Sequence, residues 1–193
     1  IVNLDKLTYA GNLATIDSLK NDPRHVFMHG DIGDRELVAT LLKEHQPRAI
    51  VNFAAESHVD RSIHGPEDFI QTNVVGTLNI IEAALRNGCY LFFSSTSEIY
   101  GKNPNVPWAE DDDRVLGSTS FERWSYSSSK SAAEHAVRGA FKQQGLKGCI
   151  VRFFNIYGPG QSEAFVVSRN ILRAANGQNL IMHNTGAQTR CFT

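Results

Sequence analysis

The chain has 193 residues, 41% of them hydrophobic and 20% charged, with a formal net charge of −1. That composition fits a soluble protein with one large domain, or part of a larger one. The near-neutral balance gives no electrostatic reason to expect nucleic acid as a partner, and no apolar run approaches the roughly 20 residues a bilayer crossing needs.

In chain order, β-rich and helical patterns alternate. IVNLD (1–5) reads as a strand, LATIDSLKN (13–21) as a helix, HVFMHGD (25–31) as a strand and RELVATLLKEHQ (35–46) as a helix. AIVNFAA (49–55) follows as a strand, EDFIQTNVVGTLNIIEAALRNG (67–88) as a long helix and YLFFSST (90–96) as a strand. YSSSKSAAEHAVRGAFKQQG (126–145) is then a helix and KGCIVRFFN (147–155) a strand. The strand runs are nearly continuous in apolar residues, as expected where helices cover both faces of a parallel sheet. This repetition predicts an α/β fold with a Rossmann-like, doubly wound parallel sheet. Residues 1–163 are expected to form its core and 164–193 to begin a substrate-binding region.

Ile1 opens inside an apparent strand and the chain stops at CFT, so a piece of a longer protein is expected. The first strand with its Gly-rich turn, and most of a C-terminal domain, would then lie outside it, and the piece alone is expected to be inactive. No basic-then-apolar leader pattern is present. Cys89, Cys149 and Cys191 are odd in number and widely spread, without zinc-like pairing, and read as reduced thiols of a cytoplasmic protein. The histidines form no metal constellation. His25 and His29 sit too far apart on one strand face, and His58 reads as a loop residue near the ligand mouth. The stretch from Lys102 to Glu122, with its EDDDR run, reads as a long solvated loop that is either functional or disordered.

In such sheets, ligands bind beyond the carboxyl ends of the strands. Asp5 closes what would be the second strand of a dinucleotide fold. An acid there accepts hydrogen bonds from a ribose diol and repels a 2′-phosphate, which favours NAD over NADP. A helix cap or turn is the plainer role. Asp31 and Ile32 stand where an adenine edge would lie, although an aspartate before DRELV also suits a cap. Ala54 and Ala55 are small enough for a flat ligand to approach, or for tight helix–strand packing.

Tyr126 and Lys130, at i and i+4, share one helical face with only small residues between them. A tyrosine of ordinary pKa is a poor base at neutral pH, and a nearby ammonium is expected to lower it. Thr96, ending the middle strand, would add a hydrogen bond to the reacting hydroxyl. A core tyrosine beside a surface lysine is the bland alternative. Glu98 reads as a catalytic base, or else as a cap or a partner for Arg123.

These residues resemble the extended short-chain dehydrogenases/reductases, in the NAD-dependent epimerase/dehydratase family. LDKLTYAGN, HGDIGDRELV and AAESHVDRSIHGPEDFIQTNVVGT are similar to the dTDP-glucose 4,6-dehydratases. SSTSEIYG, RWSYSSSK, NIYGPGQ and GAQTRCFT resemble UDP-glucuronate decarboxylases and related 4-epimerases. The resemblance implies NAD as cofactor, a nucleotide-sugar substrate and a homodimer through helices such as 66–87 and 126–144. It implies that Thr96, Tyr126 and Lys130 are catalytic. It implies cofactor contacts at Asp5, Lys6, Leu7, Asp31, Ile32, Ala54, Ala55, Ser57, Tyr126 and Lys130. Ser57, Thr96, Asn155 and Arg190 would meet the sugar nucleotide. The dehydratases read Thr-Asp-Glu where this chain has Thr96-Ser97-Glu98, so the base is present and a hydroxyl replaces the acid. Arg190 stands where the decarboxylases carry an arginine proton donor. All three chemistries pass through a 4-ketone and divide afterwards into dehydration, decarboxylation or epimerisation. A non-catalytic dinucleotide-binding protein is the remote alternative.

Overall fold

Val2–Asp5 (β1) and Val26–His29 (β2) pair in parallel, Val2 opposite Val26 and Asp5 opposite His29. They belong to a computed structural model that describes residues 1–57, 65–121, 124–183, 185–187 and 189–192. Between them, Leu13–Leu19 forms a 3-10 helix capped by the Asn12 side chain, which accepts the Ala14 N–H at 3.0 Å. A longer α-helix was the expectation. The segment buries none of its residues, so no packed apolar face extends it.

Arg35–His45 (α1) starts on Asp34, whose carboxylate accepts the N–H groups of Glu36 and Leu37. It buries Val38, Leu41 and Leu42. Ala49–Asn52 (β3) then pairs in parallel with Tyr90–Thr96 (β4), and Gly148–Phe153 (β5) flanks β4 on its other side. In the central strand β4 one face is fully buried, Leu91 and Phe93 being 0% and 1% exposed, while Phe92 on the other face is half-buried. Each fully buried side chain contributes roughly 1.5–3 kcal/mol relative to exposure.

The predicted long helix is made of three pieces: Pro66–Phe69 (α2), a π-helical stretch Ile70–Gly76, and Thr77–Asn87 (α3). The π stretch carries Asn73 and Gly76 inward, both buried. A Cβ at Gly76 would come within 2.8 Å of the Ile32 side chain, which would have to shift to admit it. Ser125–Gln144 (α4) buries Ser127, Ser129, Ala133, Val137 and Ala140, small residues that bring it close to β4 and α3. Gly145, at φ 71°, ends it in the left-handed conformation that suits glycine.

The core joins Ile32, Val38, Leu42, Ile80, Leu91, Phe93 and Val137 into one apolar cluster. Parallel strands crossed over by helices give the expected Rossmann-like arrangement. The strands fall into two sheets, β1-β2 and β3-β4-β5. Ile1–Arg152 forms one compact unit, and a second begins at Phe153. The second contains Val166–Ala175 (α5), where Asn170 bonds both the N–H and the C=O of Ile181. No helix among the described residues is long and apolar enough to cross a membrane.

Candidate active site

The last three residues of β4 each engage a different member of an i, i+4 ladder on α4. The Ser94 carbonyl accepts the Lys130 ammonium at 2.6 Å. The Ser95 hydroxyl donates to the Glu134 carboxylate at 2.6 Å. The Thr96 hydroxyl stands where it favours the ionised form of the Tyr126 phenol. The Tyr126 ring is buried edge-on against Phe69, with centroids 6.2 Å apart.

Lys130 is 3% exposed and sits 4.8 Å above the Phe93 ring. Burial lowers its pKa to about 8, against the pull of the Glu134 charge. Tyr126 overturns the expectation drawn from the sequence. Its phenol is pushed above the ordinary value, chiefly by burial, with Thr96 opposing and the Glu98 charge adding to the rise. The physical reason is that the phenol loses water, while the Lys130 ammonium is spent on the Ser94 carbonyl.

Thr96 Oγ1 also accepts the Glu98 N–H at 3.2 Å, capping the 3-10 turn Ser97–Tyr100. That cap holds Ser97 and Glu98 just past the strand, Ser97 half-buried and Glu98 exposed. Thr96, Glu98, Tyr126 and Lys130 are thus gathered at one strand end, as the sequence predicted. Arg123, the alternative partner of Glu98, and His58 lie outside the described residues.

A second group gathers at the ends of β1 and β2. Asp5 accepts the Leu7 N–H at 2.7 Å, and Leu7 takes a positive φ of 50°. This is the turn role foreseen as the plainer one, and it occupies one carboxylate oxygen. Lys6 Nζ lies 2.7 Å from Asp31 Oδ2 on the surface. Burial works against the Asp31 charge, but Lys6 and the Gly33 N–H outweigh it and hold the carboxyl below its usual range. The cap of α1 is Asp34 and not Asp31, which removes the capping alternative for Asp31. Ile32 is buried in the core and its carbonyl accepts Asn79 Nδ2, so its side chain serves packing. Ala54 and Ala55 are half-buried and Ser57 is exposed. Exposed Asp5 and the two small alanines suit the diol and flat ring faces of a dinucleotide.

Asn73 fixes the loop after β3. Its side chain accepts the Glu56 N–H and donates to the Glu56 C=O, each at 2.9 Å, and also donates to Ser129 Oγ at 3.0 Å. Ser129 in turn donates to the Tyr126 carbonyl at 2.8 Å. The sequence reading passed over Asn73, Ser95, Glu134 and Arg152. Asn73 carried no signal, because a π-helical turn is not legible in residue spacing. Glu134 carried one, four residues beyond Lys130.

In the second unit, Asn155 Nδ2 donates to the Cys191 carbonyl at 2.9 Å. Arg190 is exposed and donates to the Thr189 carbonyl at 2.8 Å. An isolated bridge between Asn155 and Phe192 brings these two predicted residues into one neighbourhood.

A protein-family model described as GDP-mannose 4,6 dehydratase matches residues 1–193. The dTDP-glucose 4,6-dehydratase of Xanthomonas campestris pv. campestris is 43% identical over 207 residues, covering 98% of this chain and 56% of that protein. The crystal structure of DesIV, a dTDP-glucose 4,6-dehydratase from Streptomyces venezuelae with NAD and TYD bound, is similar with a TM-score of 0.87 at 36% identity. That match covers 99% of this chain and 57% of DesIV. The UDP-N-acetylglucosamine 4-epimerase from Methanobrevibacter ruminantium M1, in complex with UDP-N-acetylmuramic acid, has a TM-score of 0.88 at 25% identity. It is covered to 60%, and this chain to 100%. The chain spans little more than half the length of the relatives it matches.

Proposed function

Because the chain belongs to the GDP-mannose 4,6 dehydratase family, among the NAD-dependent epimerases and dehydratases, we propose that it carries the catalytic half of a nucleotide-sugar 4,6-dehydratase acting on dTDP-glucose. The observation that supports this most directly is the gathering of Tyr126 and Lys130 from α4 at the end of β4, with Glu98 held just beyond by the Thr96 cap. A proton-transfer pair and a separate carboxylate are what oxidation at C4 followed by elimination across C5 and C6 requires.

NAD, when bound, supplies the acceptor and then the donor of hydride. Asp5, Ala54, Ala55 and Ser57 would hold it, together with Lys6, Leu7, Asp31, the backbone of Ile32, Tyr126 and Lys130. Tyr126 takes the proton of the sugar C4 hydroxyl while Thr96 holds the same oxygen. The phenol of Tyr126 is protonated in the structure's own balance of forces, so the activity should rise with pH as that proton leaves. Lys130, one turn along, keeps its ammonium on the Ser94 carbonyl beside the pair. Once C4 is a ketone, the C5 proton is acidified and Glu98 removes it as water departs from C6. Asn155 and Arg190 would contact the nucleotide sugar. The partner set is completed by a second copy of the protein, in the cytoplasm, with no nucleic acid or membrane.

Ser97 favours a second reading. It gives a hydroxyl where dehydration calls for an acid on the leaving oxygen, which suits a UDP-sugar 4-epimerase or a UDP-glucuronate decarboxylase. Incubating the full-length protein with dTDP-glucose, UDP-glucuronate and UDP-glucose separates these. A 4-keto-6-deoxy product from dTDP-glucose is expected. Turnover of UDP-glucuronate alone, with loss of CO₂, would overturn the dehydratase reading.

A further inference from the structure

The ladder on α4 does not stop at Lys130. Glu134, one turn further, is 2% exposed, yet both of its carboxylate oxygens are held twice. Oε1 accepts Arg152 Nη2 at 2.6 Å and Arg138 Nε at 3.2 Å. Oε2 accepts the Ser95 hydroxyl at 2.6 Å and Arg152 Nε at 3.3 Å. Arg152 is itself locked, donating to the Tyr100 hydroxyl at 2.6 Å and the Glu110 carbonyl at 2.7 Å. Tyr100 stacks on Trp108, with centroids 4.8 Å apart. One carboxylate thus ties together α4, the end of β4, β5, the turn after β4 and the long loop beyond it.

A buried carboxylate so fully bonded is costly to desolvate, and apolar packing would serve stability as well. Its position suggests another use. Ser95 lies between Ser94, whose carbonyl holds Lys130, and Thr96, whose hydroxyl meets Tyr126. We propose that Glu134 is a positioning residue for the catalytic set: through Ser95 it fixes the end of β4, and one helical turn beyond Lys130 it stands as that ammonium's counter-charge. This rests on the reading of Lys130 and Tyr126 as catalytic.

The charged and titratable neighbours agree in sign. Arg138 on α4 and Arg152 from β5 hold Glu134 ionised: burial raises its carboxyl, but Arg152, Ser95 and Arg138 outweigh that and leave it below the ordinary value. Lys130 faces the Ser94 carbonyl and the Phe93 ring from β4, Tyr126 and Glu134 from α4, and has no other hydrogen-bond acceptor among the described residues. Of the nearby charges, Glu134 is the one that raises the proton affinity of Lys130. Removing it leaves a buried ammonium without the one opposite charge that favours it.

The test follows the Lys130 proton directly, in the full chain labelled with ¹³Cε-lysine, using Lys130→Arg to assign the resonance. Glu134→Gln keeps the shape and removes the charge. The midpoint for Lys130 should fall by about one pH unit, a roughly tenfold loss of proton affinity. Ser95→Ala, which leaves the charge, should not move the midpoint. In the full-length enzyme it should raise KM or lower kcat by disturbing the strand end. The double variant Glu134→Met with Arg152→Met guards against misfolding of Glu134→Gln. Replacing both partners of a buried ion pair by apolar residues is often neutral, and the Lys130 midpoint should still fall. A midpoint unmoved or raised in either folded protein overturns the proposal. Because the midpoint is read without turnover, that result leaves the dehydratase reading standing, and loss of the dehydratase reading leaves the titration intact.

Discussion

At the end of β4, Lys130 and Glu134 are 3% and 2% exposed, and every polar contact they make is to a fixed backbone or a bonded side chain. At the ends of β1 and β2, Lys6 and Asp31 form their ion pair with side chains 56% and 36% exposed. Both regions belong to one compact unit and both put an acid near a lysine. In the first, burial makes each charge depend on its neighbours, so geometry and proton affinity are set together. In the second, water screens the pair and little is stored in it.

Substitutions test this contrast, and they should separate by size. Tyr126→Phe would remove the proposed proton carrier and leave the packing. In the full-length enzyme turnover should fall by about 10²–10⁴-fold, with bound NAD retained, as read by product formation and by cofactor content. If turnover survives, Tyr126 is not the proton carrier and the buried region has a structural role. Arg152→Met, a single change this time, strips the strongest partner from buried Glu134. It should destabilise the fold by about 3–5 kcal/mol in denaturant titration, far more than any change at the exposed rim.

Lys130→Met should act in the opposite direction. A pKa depressed from 10.5 to about 8 marks the buried ammonium as unfavourable, by about 3 kcal/mol. Loss of the bond to the Ser94 carbonyl offsets about 1 kcal/mol of that. The variant should therefore be more stable at pH 7 by about 2 kcal/mol, and inactive. The pH dependence has a definite sign. Between pH 8 and 10.5 the unfolded lysine keeps a proton that the folded one has released. Wild-type stability should rise across that window from this group, and the rise should be missing in Lys130→Met.

Asp5→Ala, in the full-length protein, should weaken NAD binding several-fold through loss of its acceptor and leave the melting temperature nearly unchanged. Lys6→Ala should be the mildest, changing stability by less than about 1 kcal/mol, and the more weakly the higher the salt. A loss at Lys6 as large as that at Arg152 would show that the exposed rim is not the loosely held region described above.

Much of this could be read from residue order. The strand YLFFSST coincides with β4, and the helix predicted at 126–145 is α4 within one residue at each end. Those elements are long, continuous in pattern and bounded by Gly145 and by polar turns, so local chemistry defines them. LATIDSLKN failed as an α-helix because it has an apolar pattern and nothing to bury it against. Tyr126, Lys130 and Thr96 could be singled out as candidates because spacing and a strand end are local features. The pKa of Tyr126 was misjudged because proximity along a helix does not tell where an ammonium is hydrogen-bonded.

Residue order alone settled the strands and the 126–145 helix, which strand ends carry ionisable groups, and which family pattern those groups follow. Hydrophobic periodicity and capping act over a few residues and need no distant partner. Only the folded chain decided that Lys130 is committed to Ser94, that Asn73 clamps the loop after β3, and that Glu134 joins Ser95 and Arg152. Those contacts link residues 17 to 56 positions apart. Their strength comes from burial, which is a property of the assembled core and of no single segment.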